Sequence, residues 1–180
     1  GVIASKDSLF KWDGADRGLP AWNRNQTLQT AFKVSCVWCY QEIARNVGSN
    51  RYAAALMLND YGNQRIGDHV EQFWLNGDLQ ISAKEQIAFL RKLHDYSLPF
   101  RREHVDIVKE IMLDEQSADY VIHAKTGWTG AGLQVGWYVG YVEKGDGKWL
   151  FAMNMRMDRA EQAPLRKALT IRSLRALGIL

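Results

Sequence analysis

From Thr27 to Val47 the apolar positions Ala31, Val34, Val37, Trp38, Ile43, Ala44 and Val47 recur at three- and four-residue steps, which keeps one face of a helix apolar. One or two helices are expected there, ended by Gly48. Ser49 follows as a candidate cap for a short Ala-rich helix over Arg51 to Leu58. The period then disappears. Tyr61 to Asp78 carries Gly62, Gly67 and Gly77 among Asn and Asp, which is loop chemistry around the aromatic pair Phe73 and Trp74. Ser82-Ala83-Lys84-Glu85 has the form of a capping box, and Ile87, Leu90 and Leu93 behind it mark the apolar face of a helix. Pro99 breaks the chain before Val105, Val108, Ile111 and Met112 outline another helix.

After Asp119 the pattern changes. Tyr120 to Lys125, Gln134 to Lys144 and Lys148 to Met157 are rich in aromatic and β-branched residues, and Gly145-Asp146-Gly147 joins the last two as a hairpin turn. An antiparallel meander is expected. Pro164 then opens a closing helix with Leu165, Ala168, Leu169, Leu174 and Leu177, stopped near Gly178. The fold class is α+β within a single domain: a helical part over about 27–118, then an antiparallel sheet with a C-terminal helix over about 119–180.

Composition narrows this picture. With 180 residues, 47% of them hydrophobic and 24% charged, the chain can bury a sizeable core, which argues against disorder. A net charge of +3 is too small and too scattered for a nucleic-acid surface, though it suits a small anionic ligand. No apolar run approaches the roughly 20 residues of a membrane span, and no signal-peptide pattern is present, so neither nucleic acid nor membrane is expected as a partner. The chain starts Gly1-Val2-Ile3 without Met, which reads as a processed product, an expressed piece or a fragment. Cys36 and Cys39 form C-x-x-C, but His69, His94, His104 and His123 lack ligand spacing. No metal is expected, and the two thiols read as small buried residues on a helix.

The sharpest chemical signal is Lys125-Thr126-Gly127 at the end of an expected strand, followed by Trp128-Thr129-Gly130. A strand edge can pair with an extended substrate, and Gly127 lets a substrate backbone come close because it lacks a Cβ. Lys125 offers positive charge and Thr126 a hydroxyl, a combination suited to a carboxylate beside an amide. Taken alone, such a triplet is more often a turn with a solvated lysine. Here it has company. Phe10-Lys11-Trp12-Asp13-Gly14, Ser35-Cys36-Val37, Tyr61-Gly62-Asn63, Phe73-Trp74-Leu75-Asn76-Gly77 and Pro164-Leu165-Arg166-Lys167 precede and follow it in order. This series resembles the class D serine β-lactamases, the oxacillinases, over the whole chain.

The resemblance implies a serine β-lactamase or penicillin-binding transpeptidase-like fold and hydrolysis of β-lactams through an acyl-enzyme. A serine attacks the ring carbonyl, and the lysine three residues on, carbamylated by carbon dioxide, is the general base. No other cofactor is implied. By the same resemblance Ser35 relays protons, Lys125 tunes that relay, and Trp74 holds the carbamylated lysine with its indole N–H. Thr126 and Arg166 hold the substrate carboxylate, Gly127 and Val37 face the substrate, and Leu19, Leu75 and Trp128 line the pocket, with the Trp128 N–H as an oxyanion donor. Tyr61 and Asn63 brace the site, since a phenol with a pKa near 10 is a poor base at neutral pH.

One further stretch competes for the nucleophile: Ser8-Leu9-Phe10-Lys11 has the S-x-x-K spacing. Such a pair works when both side chains leave one face of a helix. Trp12-Asp13-Gly14, Gly18 and Pro20 leave no room for a helix, and in a strand residues three apart point to opposite faces. In oxacillinases F-K-W-D-G lies downstream of the nucleophile helix. The expectation is therefore that Ser8 is a coincidence, that the true serine and lysine are absent from these 180 residues, and that the chain alone hydrolyses nothing. Apolar surface left bare would then pair with the missing segment or a second copy, or make the chain poorly soluble. The other reading is a penicillin-sensing receptor domain, a binding module that acylates without turnover. Localisation, periplasmic or secreted, follows from the resemblance alone.

Overall fold

The switch from helix to strand comes earlier than Asp119, because a strand already begins at Leu113. The computed structural model describes residues 3–75, 77–129 and 134–180. In chain order these form β1 (Leu9–Phe10), β2 (Gln26–Thr27), α1 (Leu28–Lys33), α2 (Val37–Val47) and α3 (Ser49–Asn59). After the long loop come α4 (Ala83–His94), α5 (Arg102–Ile111), β3 (Leu113–Gln116), β4 (Val121–Trp128), β5 (Val135–Lys144), β6 (Gly147–Arg156) and α6 (Leu165–Ala176).

Local chemistry explains most boundaries. The capping box closes in both directions: Ser82 Oγ accepts from the Glu85 N–H at 3.2 Å, and Glu85 Oε2 accepts from the Ser82 N–H at 2.7 Å. Gly48, at φ 81°, separates α2 from α3. It is also the N-cap of α3, so Ser49 is the first helical residue rather than the cap, and the helix start has no side-chain cap. Gly145, at φ 54°, turns the β5–β6 hairpin between the paired residues Lys144 and Gly147. Gly178, at φ 70°, follows α6, where the Ile179 N–H returns to Leu174 O.

The large sheet runs β3-β4-β5-β6, antiparallel throughout, while β1 and β2 pair separately. Its central strand β5 alternates between two cores. Tyr141 faces Leu90, Leu93, Leu98, Val105 and Met112 from the helical part, whereas Tyr138 and Val142 pack with Ile122, Ala124, Phe151 and Leu174 of α6. The meander is thus sandwiched, with α4 and α5 on one face and α6 on the other. A third cluster, Phe10, Ala31, Cys36, Trp38 and Cys39, sits under the junction of α1 and α2. No helix among the described residues is long and apolar enough to cross a membrane.

Candidate active site

Ser35 sits in the turn between α1 and α2, and its backbone is unusual. The Ser35 N–H donates to Phe32 O at 3.2 Å and the Cys36 N–H to Ala31 O at 2.9 Å, the paired bonds of a Schellman ending. That ending places its key residue in the left-handed region, where glycine is the common choice. Ser35 occupies it at φ 51°, at a cost of about 1–2 kcal/mol for a residue with a Cβ. Two tryptophans fix the turn: Trp22 Nε1 donates to Val34 O at 2.9 Å, and Trp38 Nε1 to Trp22 O at 3.0 Å. Strain held this firmly points to a use for the side chain.

The Ser35 hydroxyl meets a lysine from the sheet. On β4, Lys125 shares its face with His123, which stacks on Tyr141, so its amine is directed toward the helical part. Its Nζ donates to Ser35 Oγ and, at 2.6 Å, to Thr126 O, and lies 5.5 Å from the centre of the Phe32 ring. Burial, reinforced by the positive charge of Arg166, pulls the Lys125 amine down to about 8. A lysine so placed exchanges a proton near neutral pH, which an ordinary surface lysine does not.

Beyond His123 no strand among the described residues pairs with the neighbouring edge of β4. β3 pairs with β4 only up to His123, after which the Ala124 N–H reaches Met112 O at 2.8 Å. By the two-residue period of a strand, the Thr126 and Trp128 amides face the same open side. Gly127 is not required by the fold itself: a Cβ there would meet Trp137 Cβ at an ordinary 3.4 Å. Without a side chain it leaves bare the face of β4 that it shares with Lys125.

Arg166, on the first turn of α6, donates from Nη1 to Gly127 O and from Nε to Ala163 O at 2.8 Å. It can lie across the sheet because β5 carries Gly136 opposite Trp128. A Cβ on Gly136 would come within 2.0 Å of Met157 Sδ and 2.8 Å of Arg166 Cδ. Behind the cluster sits a carboxylate that the motif reading passed over. Asp114 Oδ2 accepts from Tyr138 OH at 2.7 Å and from Lys167 Nζ at 2.8 Å. Burial pushes that carboxyl up, but the bonds from Lys167 and Tyr138 outweigh it and leave it below the usual range. Its charge also supports protonated Lys125.

The remaining candidates spread over nearby elements. Val37 is the first residue of α2, two positions beyond Ser35. Trp74 packs edge to face on Phe73 at 5.0 Å, and no hydrogen bond among the described residues ends on its indole N–H or ties it to Lys125. Tyr61 donates to Gln86 Oε1 at 3.0 Å and meets Phe89 edge to face, and burial raises its pKa further from neutrality. Asn63 Nδ2 donates to Asp78 O at 2.9 Å, and its Oδ1 accepts from the Gln80 N–H at 3.0 Å, which stitches the two ends of the loop together. Leu19 in the β1–β2 connection and Trp128 at the end of β4 are 48% and 40% exposed, while Leu75 is half-buried in the long loop. Asn76 and Gly130 to Leu133 lie outside the described residues.

Ser8 is structural. Its Oγ accepts from the Ala4 and Ser5 N–H groups at 3.3 and 3.1 Å, and Leu9 and Phe10 leave it as a strand, with Lys11 exposed. No helix presents Ser8 and Lys11 on one face.

Residues 1–172 match the family model for the penicillin-binding protein transpeptidase domain. Among curated proteins the chain is 46% identical to β-lactamase OXA-48 of Klebsiella pneumoniae, covering 94% of this chain and 64% of that one. It is 40% identical to β-lactamase OXA-10 of Pseudomonas aeruginosa, covering 100% and 69%. The crystal structure of the class D β-lactamase YbXI from Nostoc superposes with a TM-score of 0.97 at 40% identity, over 100% of this chain and 77% of that one. The class D enzyme FUS-1 (OXA-85) from Fusobacterium nucleatum subsp. polymorphum gives 0.96 at 33% identity, over 100% and 76%. The chain thus spans about two thirds of its curated relatives, and within the penicillin-binding transpeptidase family it belongs to the class D β-lactamases.

Proposed function

We propose that this chain forms the substrate-binding and proton-relay wall of a β-lactam-hydrolysing site, and that the attacking serine and its lysine come from a segment outside these 180 residues. The observation that carries the reading is the meeting of Ser35, the adjacent pair Lys125 and Thr126, and Arg166, from three distant parts of the chain, at the end of β4. Lys125, whose amine is lowered to about 8 and so gives up its proton more readily than an ordinary lysine, passes a proton through Ser35 toward the departing ring nitrogen. Arg166 and Thr126 bind the substrate carboxylate, a charge-assisted contact of about 1.5–3 kcal/mol. The outward Trp128 N–H supplies one oxyanion bond, and Val37, Leu75 and Leu19 give the pocket apolar walls. Tyr61 and Asn63 keep the loop that carries Trp74 in place.

A lysine carbamate in the intact protein supplies the general base. The indole N–H of Trp74, which has no hydrogen-bond partner among the described residues, suits its oxyanion, whereas exposed Lys11 does not suit the lysine. The exposed Leu165 and Leu169 on α6, Leu177 just past its end, and the outer edge of β6, which no strand among the described residues pairs with, support a covering segment or a second copy as partner. The same reading puts the protein in the periplasm or outside the cell. Incubating the 180-residue polypeptide with nitrocefin and with benzylpenicillin tests it: neither turnover nor a covalent penicilloyl adduct is expected. Turnover that Ser8→Ala abolishes would overturn the proposal.

A further inference from the structure

Cys36 and Cys39 have no part in the site described above, yet they meet directly behind it. Cys36 is the N-cap of α2 and makes no side-chain capping bond, and Cys39 is the third helical residue. This is the spacing at which a capping side chain reaches the turn above it. The two sulfurs accordingly lie 2.9 Å apart, both cysteines are completely buried, and both thiols are free. Closing a bond would shorten that separation to about 2.05 Å, a movement of less than 1 Å. The lining is apolar, from Phe10, Ala31 and Trp38, and no group of three or more His, Cys, Asp or Glu among the described residues is placed to hold a metal. The only hydrogen-bond partner of either thiol among the described residues is the other thiol.

We propose that Cys36 and Cys39 are a redox-active pair that a small-molecule disulfide oxidises to an intramolecular disulfide, clamping the first turn of α2 beside Ser35. One thiolate attacks a sulfur of the oxidant and releases the first reductant thiol. The second thiolate then attacks the resulting mixed disulfide and releases the other, so the pair gives up two electrons and two protons while the oxidant becomes two thiols. Burial raises the Cys39 thiol, as does its contact with Cys36, so exchange on the folded chain is slow. During refolding it is fast.

The test uses the whole chain, exposed to oxidised glutathione either folded or while refolding from urea, then quenched, denatured, alkylated and weighed. The proposal predicts a species that takes no alkyl group and weighs about 2 Da less than the reduced chain, and that dithiothreitol reverses. It also predicts a melting temperature higher by roughly 2–6 °C than that of the reduced chain. Cys39→Ala should lose both effects, and the comparison of oxidised with reduced wild type stands even if that variant does not fold. Full alkylation after oxidation, stable glutathione adducts, disulfide-linked dimers, or a melting point that oxidation leaves unchanged or lowers would each overturn it.

Discussion

Replacing Ser35 by glycine and by alanine separates what this residue does for the fold from what it does for the site. Both variants remove the hydroxyl that meets Lys125, so that loss cancels between them. They differ in the backbone, since alanine keeps the left-handed strain at φ 51° and glycine releases it. Release is worth about 1–2 kcal/mol. Against it stands the larger unfolded-state freedom of glycine, about 0.4–1 kcal/mol. Glycine should therefore be the more stable variant by about 1 kcal/mol, the reverse of the usual order, or about 2–4 °C in melting temperature for a chain of this size. Urea and thermal unfolding followed by circular dichroism measure the difference. If alanine matches or exceeds glycine, the Schellman strain is not there, and the argument that the turn is held for the sake of its hydroxyl fails.

Other outcomes follow from the same network. Because the Lys125 amine is lowered from 10.5 to about 8, the unfolded chain binds more protons than the folded one between those values. Stability should therefore rise with pH across that window, by up to about 3 kcal/mol, and Lys125→Met should remove this dependence in pH-resolved urea melts. Gly136→Ala forces a methyl group against Met157 and Arg166; a loss of about 1–3 kcal/mol is expected, together with displacement of Arg166 visible in a crystal structure of the variant. Ser82→Ala breaks a closed capping box and should cost about 1 kcal/mol in chemical denaturation without disturbing the Lys125 cluster.

Features governed by a few adjacent residues were legible before any coordinates. The Ser82–Glu85 box, the Gly48 boundary and the Gly145 hairpin each depend on local backbone chemistry, and each forms. The strand β3 was hidden, since Leu113-Asp114-Glu115-Gln116 is a short polar edge without alternation, made a strand by its pairing with β4. The small β1–β2 ribbon was hidden for the same reason. Motifs identified Ser35, Lys125 and Arg166 as candidates. They could not reveal that Ser35 is left-handed, that Trp22 pins its turn, or that Arg166 needs the bare backbone of Gly136. Asp114 escaped because a lone acid in a polar stretch has no local signal; its partners Tyr138 and Lys167 come from β5 and α6.

The most direct test of the whole account joins this chain to the serine- and lysine-bearing segment of a curated relative such as OXA-10 and follows nitrocefin hydrolysis. The account predicts nitrocefin turnover, a single penicilloyl adduct on the donated serine by mass spectrometry after a pulse of benzylpenicillin, and a fall of about 10²–10⁴-fold in turnover on Lys125→Ala. An adduct on Ser8, or turnover indifferent to the loss of Lys125, would contradict it.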